Sequence, residues 1–168
     1  MRRVLSILVD NQAGVLSRIT GLFSRRGYNI DSLSVGETED PAFSRITVAV
    51  RGDEATLTQI AKQVEKLEDC RQLHELSPEE SVCRELALVK INAEASVRSD
   101  IFGIVEIFRA NIIDVSGSSI TAELTGDENK IAAFLELMQP YGIIETARTG
   151  LTGLARGPSS LKKDTGVA

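Results

Sequence analysis

The sequence predicts an α+β protein built as two ferredoxin-like lobes, each with the element order βαββαβ. Three observations predict it. Short apolar runs of period two give way repeatedly to apolar residues at helical spacing. The succession strand, helix, strand, strand, helix, strand occurs once in each half of the chain. The 168 residues divide into two parts, each large enough to bury a thin core.

The first lobe is read over residues 1–77. Residues 4–9 alternate, with Leu5, Ile7 and Val9 on one face. Val15, Ile19, Leu22 and Phe23 then recur as the stripe of an amphipathic helix. Arg25 and Arg26 suit its last turn, where cations oppose the helix dipole, and Gly27 suits the position just beyond. Residues 30–35 read as a second strand and 37–41 (ETEDP) as a polar loop. Residues 43–51 form a third strand, with Ile46, Val48 and Val50 inward and Arg45, Thr47, Ala49 and Arg51 outward. Gly52 and Asp53 end it, Leu57, Ile60, Ala61 and Val64 mark a second helix, and 70–76 read as a fourth strand.

Residues 78–83 read as a linker, which overlaps the polar run Ser77-Pro78-Glu79-Glu80-Ser81. The second lobe is read over 84–157. Ala87, Val89, Ile91 and Ala93 alternate as a strand, and Ile101, Ile104, Val105 and Phe108 form a helical stripe. Residues 112–115 and 119–124 read as two more strands. Asp127 is placed to cap a helix carrying Ile131, Phe134, Leu135 and Met138, and 143–147 close the lobe. The lobes overlay with an offset of 83 to 84 residues, which sets Leu5 on Val89, Ile7 on Ile91, Val9 on Ala93 and Asp31 on Asp114. Residues 158–168 are polar and are expected to form a flexible tail. Each four-stranded sheet carries two helices on one face and leaves its other face, or an edge strand, to a partner. A homodimer or higher homo-oligomer is therefore expected.

With 42% hydrophobic and 26% charged residues, the composition is that of a globular protein. A net charge of −5 and a pI near 5.0 argue against nucleic acid as a partner. No apolar run approaches the roughly 18 residues of a membrane span, and the chain opens directly into a strand pattern with no signal-peptide core. A cytoplasmic location with no membrane association is expected. Cys70 and Cys83, beside the single His74, fall short of a usual four-ligand zinc site, and both are expected to be reduced thiols.

The loop Asp10-Asn11-Gln12-Ala13-Gly14 opens directly into the first helix at Val15. Backbone N–H groups around Ala13, Gly14 and Val15 are suited to a small carboxylate at a helix N-terminus. Gly14 permits close approach of a ligand, and the Asn11 amide can bond the same ligand. A plain strand-to-helix turn accounts for the same residues. Asn29 follows the helix-ending Gly27, where Asn is a common capping residue. If two lobes meet edge to edge, Asn29 and Ile30 could instead reach the loop of a partner lobe. The second lobe's loop, 92–100, is longer and contains no Gly, so no matching site is expected there.

The remaining polar features carry less. His74 has no Ser or Cys partner in sequence and reads as a surface residue. Asp31 and Asp114 read as structural. Gly150 to Gly157 is glycine-rich, but no helix pattern follows it, as a phosphate loop requires. No G-x-S-x-G, P-loop or G-x-G-x-x-G motif is present. A sensor is therefore favoured over an enzyme. An enzyme on this scaffold would need a converging acid, base or nucleophile. An RNA-binding module would need exposed aromatics among basic residues, whereas aromatics are 4% of the chain and Trp is absent. A sensor acting on transcription would need a helix-turn-helix pattern, which is not evident.

The run RRVLSILVDNQAGVLSRITGLFSRRGYNIDSLSV resembles the opening of the acetolactate synthase (acetohydroxyacid synthase) small regulatory subunit family. The resemblance continues through DPAFSRITVAVRGD, RELALVKINA, EIFRANIIDVS and ETARTGLTGLARG, and covers about residues 1–157. It implies that the first lobe is an ACT domain, which binds amino acids between lobes. It implies no catalytic site, metal or cofactor in this chain. The implied partner is a large catalytic subunit using thiamine diphosphate, Mg²⁺ and FAD to condense pyruvate with pyruvate or 2-oxobutyrate. The implied role is to activate that subunit and to confer feedback inhibition by valine, or by leucine or isoleucine, on branched-chain amino acid synthesis. Asn11, Gly14, Asn29 and Ile30 match the family's effector positions, and Asp10 stands where Glu is as readily expected. Ala13 and Val15 join the expected set through their N–H groups, and Leu33 joins Ile30 as an apolar wall for the effector side chain.

Overall fold

Alternate burial sets the first sheet. Leu5, Ile7 and Val9 on one strand and Ile46, Val48 and Val50 on its neighbour turn to one side and are almost entirely buried. The computed structural model describes residues 2–25, 27–158 and 160–161. Its first half runs β1 (Arg2–Asp10), α1 (Val15–Arg25), β2 (Ile30–Glu37), β3 (Phe43–Arg51), α2 (Glu54–Val64) and β4 (Cys70–Glu75). The sheet order is β2-β3-β1-β4 and every pairing is antiparallel. Val15, Ile19 and Phe23 of α1 and Leu57, Ile60 and Val64 of α2 fill the same core. Asp53 starts α2 by accepting the Thr56 N–H at 2.9 Å, which satisfies one orphan donor of the first turn.

The second half repeats the topology. It contains β5 (Ser81–Asn92), α3 (Arg98–Ile107), β6 (Asn111–Val115), β7 (Ser119–Gly126), α4 (Glu128–Met138), a 3₁₀ turn (Gln139–Tyr141), β8 (Ile143–Arg148) and β9 (Thr152–Ala155). The order β6-β7-β5-β8 matches that of the first sheet, and β9 pairs with β5 off this path. Asp127 caps α4 through the Lys130 N–H (2.8 Å), as its position predicts. Glu85 is buried against Arg148, whose Nε and Nη2 donate to its two carboxylate oxygens at 2.8 and 2.6 Å.

The chain divides into two units, and the division differs from the one the apolar pattern predicts. Arg84–Gly150 form one unit, and the residues up to Cys83 form the other together with the segment from Leu151 onward. Residues 81–83, expected in a linker, are already strand. Residues 151–157, expected in the second lobe, pack with the first. Leu151 N–H donates to Ser32 Oγ (3.2 Å), and Ser34 Oγ donates to Leu151 O (2.8 Å). Ser32 and Ser34 lie opposite Ala49 and Thr47 on the sheet face turned away from α1 and α2. On that face Ser6 and Ala49 are 0% exposed and Thr47 1%. Thr47 and Ala49, expected to face outward, are therefore buried, and the face expected to await a partner is already occupied in part by Leu151. Leu161 is buried too, at 4% exposure, although it falls within the expected tail. Of that tail, Ser159 and 162–168 lie outside the described residues, as does Arg26.

β9 explains the glycine-rich run. A Cβ on Gly153 would sit 2.6 Å from Cys83 Sγ, 2.8 Å from Leu76 Cδ1 and 3.2 Å from Val82 O, so a side chain there would force these neighbours to shift. Arg156 N–H donates to Glu80 O (2.7 Å) and its Nε to Ser81 O (3.1 Å), which continues the contact.

Hydrogen bonding also corrects the repeat register. Asp10 N–H donates to Asp69 O (3.0 Å) and Asn92 N–H to Gly142 O (2.9 Å). Asn11 N–H donates to Ala42 O and Ala93 N–H to Ser118 O, both at 2.8 Å. Asp10 thus corresponds to Asn92, and Leu5 to Ala87, two residues away from the Val89 that the apolar pattern favours. A strand's period of two hides a shift of two, because it keeps every side chain on the same face.

Phe134 is fully buried, edge-to-face with Phe108 at 5.5 Å. Phe134→Ala is expected to cost about 3–5 kcal/mol, and loss of the cap in Asp127→Ala about 1 kcal/mol. Urea unfolding followed by far-ultraviolet circular dichroism measures both. Equal losses would mean that packing of the buried face does not dominate α4.

Candidate functional site

The loop joining β1 to α1 is shaped by one residue and latched by another. Gly14 has φ +86°, in the left-handed region, and a Cβ there would sit 3.3 Å from Arg18 Nη1. Gln12 N–H donates to Asp10 O (3.0 Å), and Arg18 N–H to Gly14 O (3.0 Å) opens the helical ladder. The first N–H groups of α1 have no intrahelical acceptor, and the helix dipole makes this end attractive to an anion. Residues 11–14 are exposed, whereas the Val15 side chain is buried and its N–H donates to Gln12 O (3.4 Å).

Asn11 holds the loop to the turn between β2 and β3. Its Nδ2 donates to Pro41 O (2.9 Å), its Oδ1 accepts from Ser44 Oγ (3.0 Å), and its N–H donates to Ala42 O. The expectation gave this amide to a ligand. The structure engages both of its ends internally and leaves the second hydrogen of Nδ2 for any further bond.

Charges support the loop from beneath, from residues that sequence spacing did not single out. Arg71 forks onto Asp10, with Nε to Oδ1 at 2.6 Å and Nη2 on Oδ2. Arg18 Nε pairs with Asp69 Oδ2 at 2.6 Å. The hydrogen bond from Arg18 holds the Asp69 carboxyl below its usual range, and the same bond raises the Arg18 guanidinium. The bond to Asp10 likewise raises Arg71. In sequence these partners stand 51 and 61 residues apart, and only the β1–β4 pairing unites them.

Asn29, Ile30 and Leu33 lie elsewhere. Ile30 pairs with Val50, which pairs with Arg3, whereas Glu37 pairs with Ser44, which pairs with Val9. The start of β2 is thus at the end of the sheet opposite the loop. At about 3.3 Å per residue over seven residues, the separation is about 23 Å. Within one chain the seven expected effector residues do not converge. Asn11, Ala13, Gly14 and Val15 form one group, and Asn29, Ile30 and Leu33 form another on the edge strand. Asn29 is exposed, and Ile30 and Leu33 are half-buried against the core. Leu16 and Val35 are large apolar side chains that stay exposed near these groups.

The second unit closes its equivalent loop with a side chain. Arg98 Nε donates to Ala93 O (2.9 Å), and its Nη2 donates to Ser116 O (2.5 Å) and Gly117 O (2.6 Å). Arg98 thus does for this loop what Asn11 does for the first, with a bulkier group. Asp31 pairs with Arg51 at 2.7 Å and Arg2 at 3.7 Å, a structural placement. Ser81 Oγ lies 3.9 Å from Cys83 Sγ, and burial pushes the Cys70 thiol up to about 11. Among the described residues, no group of three or more His, Cys, Asp or Glu side chains is placed to hold a metal ion. Among them, no helix is long and apolar enough to cross a membrane.

Comparison with known proteins adds to this geometry. Residues 84–157 match the family model described as the small subunit of acetolactate synthase. Residues 5–72 match the AHAS small subunit-like ACT domain. A probable acetolactate synthase small subunit of Methanothermobacter thermautotrophicus is 47% identical over 159 residues, covering 94% of this chain and 95% of that protein. The acetolactate synthase small subunit of Bacillus subtilis is 48% identical over 158 residues, covering 94% and 92%. The crystal structure of the acetolactate synthase small subunit from Thermotoga maritima superposes with a TM-score of 0.87 at 40% identity, covering 95% of this chain and 99% of that one.

The Arg18–Asp69 pair has a checkable pH signature. Its carboxyl pKa is lowered in the folded state. Its contribution is therefore present above the unfolded value, near 3.9, and is lost as pH falls through the lower folded value. Carboxyl NMR titration should place the Asp69 midpoint below that of an unpaired Asp, and Arg18→Met should raise it. An unmoved midpoint in Arg18→Met would remove the pair from the loop's support.

Proposed function

The chain belongs to the acetolactate synthase small-subunit family, and from that premise we propose that it is a regulatory subunit which activates the catalytic subunit and makes it sensitive to valine. Thiamine diphosphate, Mg²⁺ and FAD belong to the catalytic partner in this reading, and this chain contributes no reacting group.

The observation that carries the reading is the split of the effector residues between the two ends of one sheet. β2 is an edge strand. If it pairs antiparallel with β2 of a second copy, the start of one β2 lies beside the end of the other. That end is where the loop of residues 10–14 sits. Two copies related by a two-fold axis would then make two equivalent sites, each with a loop from one copy and Asn29, Ile30 and Leu33 from the other. The same pairing covers an open strand edge.

In such a site the valine carboxylate meets the N–H groups around Ala13 and Gly14 at the start of α1 and shares the Val15 N–H with Gln12 O, which accepts it at 3.4 Å. Gly14 leaves room for it, and Arg18 lies alongside. The ammonium is received by the Asn29 side-chain oxygen or by a backbone carbonyl, since Asn11 Oδ1 already accepts from Ser44. Asn11 then acts by holding the loop in shape and with its remaining Nδ2 hydrogen. The isopropyl group lies against Ile30 and Leu33. Valine inhibits to the extent that it binds one arrangement of the complex better than another.

The test is reconstitution of the full chain with its catalytic subunit. Gly14→Asp places a carboxylate where the effector's own would bind. It should leave activation intact and raise the valine concentration for half-inhibition by about 5- to 150-fold, the range of a typical coupling energy. A Gly14→Asp complex as valine-sensitive as the wild type would place the effector elsewhere.

A further inference from the structure

The face of the first sheet turned away from α1 and α2 carries polar groups that the loop of residues 10–14 does not use. On it Ser6 stands between Thr47 of β3 and His74 of β4, and Arg45 stands opposite Leu8, the next residue of β1 on that face. Arg45 Nη1 donates to Ser6 Oγ at 3.0 Å. This bond draws the guanidinium across β1 toward His74. The segment from Leu151 onward partly roofs this place and leaves a cavity of about 330 Å³. Glu39, Arg45 and His74 line its polar side, and Leu76, Leu154 and Leu161 its apolar side. Burial lowers the Arg45 pKa, and the nearby charge of Glu39 partly offsets that. The cation has thus given up part of its hydration, with a carboxylate close enough to compensate it in part.

We propose that this cavity is a second small-molecule site, on the opposite face of the sheet from the α1 N-terminus, and that it takes an aliphatic amino-acid zwitterion. Its carboxylate meets Arg45, its ammonium meets Glu39, and its hydrocarbon side chain lies against Leu76, Leu154 and Leu161. A simple anion would face the repulsion of Glu39, and a simple amine that of Arg45. A zwitterion presents each of them with a group of opposite charge. The volume stands at the low end of small-molecule sites, roughly 300–1,000 Å³, which suits an amino acid better than a nucleotide. This site is independent of the proposed valine site and uses none of its residues.

The test is calorimetric titration of the full chain carrying Gly14→Asp, so that the site at the α1 N-terminus is disabled, with leucine as the probe. One leucine per chain is expected to bind. Adding Arg45→Met or Glu39→Gln should weaken binding by about tenfold or more, the size of one charge-assisted hydrogen bond. In the Gly14→Asp chain, 4-methylpentanoate and isopentylamine, each lacking one of leucine's two charges, should bind weaker than leucine by a similar factor. Circular dichroism checks that each variant is folded. Glu39 is exposed, so Glu39→Gln keeps the test decisive if Arg45→Met fails to fold. Absence of leucine binding by the Gly14→Asp chain overturns the proposal. So does unchanged binding by both folded variants, or binding of 4-methylpentanoate as tight as that of leucine. Valine sensitivity of the reconstituted complex, read separately, decides the first site alone.

Discussion

A four-stranded sheet with two helices has one face left over, and how the first unit covers that face governs much of the rest. Ser6, Thr47 and Ala49 are buried on it, which requires that something lie across them. Within the unit the segment from Leu151 reaches that face, tied at its start to Ser32 and Ser34. Both serines use short hydroxyls on the edge strand, so the segment meets β2 with hydrogen bonds while Leu151 itself is buried. Residues distant in sequence are thereby bound into one folding unit. The tight glycine at 153 belongs to the same constraint, since any side chain there would collide with Cys83 and Leu76.

The turn between β2 and β3 occupies a position between two polar places. On one side Pro41, Ala42 and Ser44 hold Asn11 and so fix the loop before α1. On the other side Glu39 lines the cavity that contains Arg45. The turn is itself held by Asp40, whose carboxylate accepts the Ala42 N–H, and by Thr38, whose hydroxyl accepts the Asp40 N–H. Small polar residues bonding their own backbone make such a turn stiff without a core beneath it. The second unit solves the same problem differently, because Arg98 reaches from α3 to bond three carbonyls directly.

Much of this was legible in the sequence where a periodic signal existed. β3 has the bounds that its alternation predicts, and the stripes of α1, α2 and α4 are their buried faces. Asp127 stands where a cap was readable from residue type alone, whereas Asp53, read as the end of β3, also caps α2. The misses have physical reasons. β9 is four residues long and carries a glycine, too short to show a period. The burial of Thr47 and Ala49 depends on chain about a hundred residues away, which alternation cannot report. Arg18 and Arg71 read as ordinary surface charges until β4 is laid beside β1. Among the expected effector residues, Gly14 is conspicuous in sequence as a helix-opening glycine, and its positive φ gives it a conformational reason that needs no ligand. The internal engagement of Asn11 was not readable, because its partners lie beyond a strand and a turn.

The separation of Asn29 and Ile30 from the loop of residues 10–14 bears on why regulation would use such a site. A ligand bound wholly inside one rigid lobe contacts the same atoms in every arrangement of the assembly. It has no differential affinity to give, and it shifts no equilibrium however tightly it binds. A ligand held between the loop of one copy and the edge strand of another binds only while those two surfaces keep their distance and angle. Its binding energy then becomes a function of the quaternary arrangement, which is what coupling to another subunit requires. The sheet makes this split unavoidable. β1 and β2 run parallel to each other, both being antiparallel to β3, so the loop that follows β1 and the start of β2 must fall at opposite ends. The topology that leaves the site incomplete in one chain is, under the proposed function, the feature that lets a small amino acid act on a large enzyme.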